Sequence, residues 1–134
     1  MTRRGMPTDY TIDRERGLVR VVASGRLSDN DFLEQRVRLR SDPAFDAAYS
    51  FSVDLRQVTE LALSALVISR LARDPISDPG IRRAIILPAE GDAGPEPLAF
   101  GLSRVFQSIA ALRGEDVELF VDSEAAERWL RRER

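Results

Sequence analysis

The side chains able to do chemistry in this chain are carboxylates, arginines and hydroxyls. There is no histidine, no cysteine and no lysine, so all 20 basic residues are arginine. A zinc site of His and Cys is thereby out of reach, as is a serine or cysteine nucleophile activated by histidine. Schiff-base chemistry and a phosphate-loop lysine are excluded by the same composition. What is left is carboxylate chemistry, Mg²⁺ held by oxygens, and anion binding by arginine. A GC-rich genome produces the same arginine-only complement without any functional demand.

Asp54 and Asp122 stand at the C-terminal ends of apolar runs that read as strands, where α/β sheets tend to place ligands. A receiver-type phospho-acceptor needs further carboxylates for Mg²⁺ and usually a lysine. Asp122 therefore reads as a helix N-cap, and Asp54 as a strand end that orders the following loop, with a ligand-binding role as its alternative. No base or nucleophile accompanies either. No catalytic residue, metal ligand or cofactor is assigned, and the chain is read as a non-enzyme, a carboxylate-dependent enzyme being the remote alternative.

Two clusters suit binding better. Phe100 and Arg104, four residues apart on one helix, belong to residue types enriched in binding hot spots and lie roughly opposite an apolar stripe. A local cation–π contact is the plainer account of that pair. Gly101 between them hints at a close backbone approach or a bend. The run Leu61-Ala62-Leu63 precedes a helix and could line an apolar cleft beneath it, or simply belong to the core. The arginines at 128, 131, 132 and 134 suit an acidic partner, or a solvated helix end complementing the helix dipole.

The elements that must position these residues follow from patterning. Residues 1–9 read as a flexible leader, and residues 10–134 as one domain. Strands are expected at 10–13 and 18–24, forming a hairpin with Gly17 in its turn. The apolar face of Val19, Val21 and Ala23 against Arg20 and Ser24 suggests a strand near the sheet edge. Ser28 with Asp31 resembles a capping box opening a helix that ends before Asp42-Pro43, with Phe32, Leu33 and Val37 on one side. A strand at 51–55, a helix from Ser64 to about Arg73 and a strand at 83–87, continuously apolar over Ala84-Ile85-Ile86-Leu87, come next. The clearest helix has Leu98, Leu102, Val105, Ile109 and Leu112 at spacings of three and four, with Phe106 at the margin. A strand at 117–121 leads to a last helix capped near Asp122, anchored by Trp129 and Leu130, with Glu124/Arg128 and Glu127/Arg131 as i,i+4 pairs. The order is β-β-α-β-α-β-α-β-α, an α/β domain with a mixed four-to-five-stranded sheet.

At 134 residues the chain is long enough to bury one core, and its 43% hydrophobic content is globular rather than disordered. The net charge of −2 argues against nucleic acid as a partner. No stretch is apolar enough to span a bilayer, nothing resembles a signal peptide, and without cysteine the default compartment is the cytoplasm.

Three stretches in this order resemble the STAS domain, the anti-sigma-factor-antagonist fold, and within it the SpoIIAA-like group. They are Tyr10-Thr11-Ile12-Asp13 followed by Gly25-Arg26-Leu27-Ser28, then Val53-Asp54-Leu55-Arg56-Gln57-Val58, then Phe100-Gly101-Leu102-Ser103-Arg104-Val105-Phe106-Gln107. The resemblance implies a non-catalytic regulatory or binding module that contacts a protein partner or a small nonpolar ligand, with a homodimer left open. It also implies a place for a phosphorylated serine. The group's Asp-Ser-Ser-Gly-Leu run falls on Ala62-Leu63-Ser64-Ala65-Leu66, so Ser64 occupies the modified position while the Asp, the first Ser and the Gly are missing. A phosphate at a helix N-terminus would meet free amides and a favourable dipole. Serine there is equally an ordinary N-cap.

Overall fold

The computed structural model describes residues 7–89 and 94–132. In chain order its elements are β1 (Thr8–Asp13), β2 (Leu18–Ser28), α1 (Asp29–Arg40), β3 (Ser50–Ala62), α2 (Ala65–Arg73), β4 (Arg82–Ile86), α3 (Glu96–Ala111), β5 (Asp116–Phe120) and α4 (Ser123–Arg131). The five strands form one sheet in sequence order, β1 antiparallel to β2 and each later pair parallel. This is the mixed α/β architecture expected from the patterning.

That order dictates where the helices go. Right-handed crossovers joining β2 to β3, β3 to β4 and β4 to β5 in one direction put α1, α2 and α3 on the same face. The opposite face is covered by α4, whose buried Ala126 packs with Ala84 and Ile86, flanked by Phe120, Trp129 and Leu130. Alternation along β4 then aims Ile85 at the three-helix side. Arg82 ties α4 down: its Nη1 donates to the carbonyls of Trp129 (2.9 Å) and Arg132, and its guanidinium lies 5.6 Å from the Trp129 ring centre. Among the described residues no helix is long and apolar enough to cross a membrane.

Local signals explain most boundaries. Ser28 Oγ accepts from the Asp31 amide and an Asp31 oxygen accepts from the Ser28 amide at 2.8 Å, completing the capping box. Gly17 holds φ at +62° in the hairpin, where a Cβ would also approach the Tyr49 ring at 3.3 Å.

Several expectations need correction. Thr8 and Asp9, assigned to the leader, begin β1, and Thr8 is fully buried; residues 1–6 of the leader lie outside the described residues. Strands β2 and β3 run much further than 24 and 55. They stay paired from Ser24↔Gln57 to Ser28↔Ala62, with register shifts near Ser24 and Gly25. The polar residues there look loop-like because this ribbon has left β4, which pairs with β3 only through Asp54; Arg26 and Glu60 bridge across it at 2.9 Å. In α1 it is Gln35 and Leu39 that are buried, while Val37 is 65% exposed. In α3 the seam is turned by about one residue. Ala99, Leu102, Ser103 and Ala110 are buried, whereas Leu98 and Leu112 are largely exposed. Small side chains let α3 lie close to the sheet, and a periodicity that counts only large residues overlooks them. Glu127 accepts from Arg20 on β2 at 3.0 and 3.3 Å rather than from Arg131, and no ion pair joins Glu124 to Arg128 among the described residues.

Candidate functional site

Between the sheet and the three crossover helices lies an apolar cavity of about 140 Å³. Its floor comes from alternate residues of β3 (Phe51, Val53, Leu55) with Val21 of β2 and Ile85 of β4. The helices supply Phe32, Gln35, Arg36 and Leu39 from α1, Ile68 and Leu71 from α2, and Ala99, Leu102, Ser103 and Phe106 from α3. Leu61 and Leu63 close one side because β3 extends beside β2 past the end of its pairing with β4. These are the two leucines singled out by sequence, and both line the cavity.

Four polar side chains interrupt the apolar wall, Arg36, Arg83, Gln35 and the buried Ser103. Arg36 is tethered at the rim, its Nη2 donating to the Asp74 carbonyl and pairing with the Asp74 carboxylate at 3.3 Å. Arg83 lies against two rings, its Cζ 4.3 Å from the centre of Phe51 and 5.2 Å from that of Phe106, within cation–π range of both. Its Nε donates to the fully buried Glu115 carboxylate at 2.6 Å, and Arg113 donates to the other oxygen of Glu115 at 3.1 Å. The third group is Gln35. It is only 7% exposed, it lines the cavity, and its Nε2 has no hydrogen-bond partner. A buried amide NH₂ without a partner carries an uncompensated desolvation cost.

The other sequence candidates lie elsewhere. Asp54 accepts from the Arg56 amide (3.0 Å), Nε (3.0 Å) and Nη2 (2.8 Å), so it is engaged by the residue two positions on. Burial pushes its carboxyl up, but the Arg56 guanidinium and amide outweigh this and hold it below the ordinary carboxylate value. Asp122 caps α4 through the Glu124 amide at 2.9 Å, and its charge reaches Arg56. Ser64 caps α2 by accepting from the Val67 amide at 3.2 Å, while its hydroxyl donates to Asp29 at 3.0 Å and its amide to the same carboxylate at 2.9 Å. The Ser64 hydroxyl thus faces a carboxylate across α1 and α2.

Phe100 (47% exposed) and Arg104 are on the solvent side of α3. Arg104 donates to Gln107 at 3.1 Å, and no cation–π contact joins it to Phe100 among the described residues. Gly101 is exposed, and a Cβ there would meet nothing within 4 Å, so the close backbone approach anticipated at this glycine is not found. Sequence reasoning missed Gln35, Arg83 and Ser103. The available signal was a glutamine at the stripe position between Phe32 and Leu39, and an arginine opening an otherwise apolar strand.

No protein-family model matches the chain, and no curated protein matches it. Among solved structures it is similar to an uncharacterised protein of the DUF3478 family from Shewanella loihica PV-4, described as having a SpoIIAA-like fold. The likeness covers 97% of this chain and 98% of that one, with a TM-score of 0.58 and 21% identity. At that identity it speaks to architecture alone: the fold of this chain is SpoIIAA-like.

Proposed function

We propose that this protein is a non-catalytic binding module whose cavity takes a small nonpolar ligand. The observation that carries the reading is the apolar space of about 140 Å³ beneath three helices. An apolar space of this volume is enough for a compact hydrocarbon, since a cavity of about 150 Å³ is known to admit benzene. Leu61 and Leu63 in its wall are the residues whose apolar run first suggested a cleft. Occupancy would return to the lining the dispersion contacts that an empty cavity forgoes. Titration with toluene, followed by methyl chemical shifts of the lining leucines and isoleucines, tests this. Saturable shifts confined to those residues are expected; absence of shifts up to the solubility limit would count against the reading.

A second reading, recognition of a protein partner through α3, rests on Phe100 standing exposed beside Arg104 on the solvent face. If it holds, replacing both by alanine abolishes partner capture without moving the melting temperature. A fall in melting temperature instead would make the pair structural.

A further inference from the structure

We infer that the ligand for this cavity is a compact apolar molecule bearing one hydroxyl group, which donates to the side-chain oxygen of Gln35 and engages the hydroxyl of Ser103. The inference rests on the cavity being a ligand site and adds the chemistry of its occupant. Both residues line the cavity and both are more than nine-tenths buried, Gln35 at 7% and Ser103 at 6% exposure. Gln35 turns its Nε2 into the protein, where it is sealed from solvent. The oxygen is the end of the amide that keeps accessible surface, and it accepts no hydrogen bond among the described residues. The Ser103 hydroxyl is in the same condition. It keeps accessible surface and makes no hydrogen bond among the described residues, not even to a carbonyl of the preceding turn, a common partner of a helical serine.

These two groups set the polarity of the missing partner. An amide oxygen only accepts, so Gln35 calls for a donor, whereas a serine hydroxyl both donates and accepts. A ketone, an ether or a pure hydrocarbon offers Gln35 no proton. A carboxylate would set a further acceptor against that oxygen and would bring a charge to be buried. The cations of the wall do not demand one, since Arg36 is paired with Asp74 and Arg83 with Glu115. A hydroxyl meets both needs: its proton goes to Gln35 Oε1, and its lone pairs remain for the Ser103 O–H. The remainder of the ligand follows from the lining. Phe32, Phe51 and Phe106 with the surrounding leucines enclose about 140 Å³, which suits a single ring or a compact aliphatic body.

The test compares phenol with toluene, two rings of similar size that differ by a hydroxyl against a methyl, in titrations followed by chemical shift. A wall without polar partners disfavours phenol, because burying its hydroxyl unpaired costs free energy. Wild type should instead bind phenol at least as tightly as toluene. Gln35→Leu should weaken phenol about tenfold, the scale of one hydrogen bond to a buried group, and leave toluene within about twofold. Ser103→Ala should act in the same direction, which guards against a packing change peculiar to either position. Exclusion of phenol by a wild type that takes toluene, or a phenol-to-toluene ratio that neither substitution moves, overturns the hydroxyl assignment and leaves the apolar site standing. Tighter binding of benzoate than of phenol overturns it too, by making the arginines the selecting groups. Binding of neither phenol nor toluene overturns the cavity reading as well.

Discussion

Replacing Gln35 by leucine should stabilise the protein, although it alters a buried residue. The side chain is 7% exposed and its Nε2 has no partner, so wild type carries the cost of an unsatisfied buried donor, about 1–3 kcal/mol. Leucine removes that polar group, keeps a similar volume against the cavity, loses less rotamer freedom on burial and matches glutamine in helix propensity. The net gain should be about 2 kcal/mol, or a rise in melting temperature on the order of 5–10 °C for a domain of this size. Trp129, the single tryptophan, packs on the opposite face of the sheet with Phe120 and reports unfolding without sensing the cavity directly. Urea denaturation followed by its fluorescence should show a higher midpoint at unchanged slope. An unchanged or lower midpoint for Gln35→Leu would refute the reasoning, since it would mean that the amide is satisfied in solution.

Other perturbations probe the groups around the site. Glu115→Leu strands Arg83 without its buried partner and should cost about 3–5 kcal/mol by urea denaturation, whereas the double change with Arg83→Met should recover most of the loss. Ser64→Ala removes a cap and a contact to Asp29 and should cost about 1–2 kcal/mol. Ser64→Glu should lower the melting temperature further by facing Asp29, with Asp29→Asn restoring it; a neutral or stabilising Ser64→Glu would instead speak for a site that accepts phosphate. Asp54 titrates below its ordinary value of 3.8 when folded, so its contribution to stability is present above that pH and is lost as pH falls through the lower folded value. Asp54→Asn should therefore flatten the acid limb of a stability-against-pH curve below about pH 3.8, measured with Trp129 fluorescence.

The elements were legible because their signals are local. The capping box at Ser28 and Asp31, Gly17 in the hairpin and Asp122 at the start of α4 each act within a few residues of themselves. The continuously apolar run of β4 announced a strand covered on both faces, and it is covered by α4 on one and the three crossover helices on the other. Lost lysine, histidine and cysteine chemistry was likewise readable from composition, because absence of a residue type needs no coordinates. Leu61 and Leu63 could be picked out as an apolar run ahead of a helix, although Leu61 belongs to the extended β3.

What only the tertiary structure decided was which residues share a space. Gln35, Arg83, Ser103 and Leu61 come from α1, β4, α3 and β3, and no periodicity within one element can bring them together. The true seam of α3 depended on small residues that hydrophobic patterning does not weigh, and the long β2–β3 ribbon depended on backbone pairing that polar side chains conceal. Sequence determined the elements and the chemistry that is missing. The cavity and the buried, unpaired Gln35 Nε2 arise from long-range packing of helices over a sheet, where the identity of a neighbour is set by topology and not by spacing along the chain.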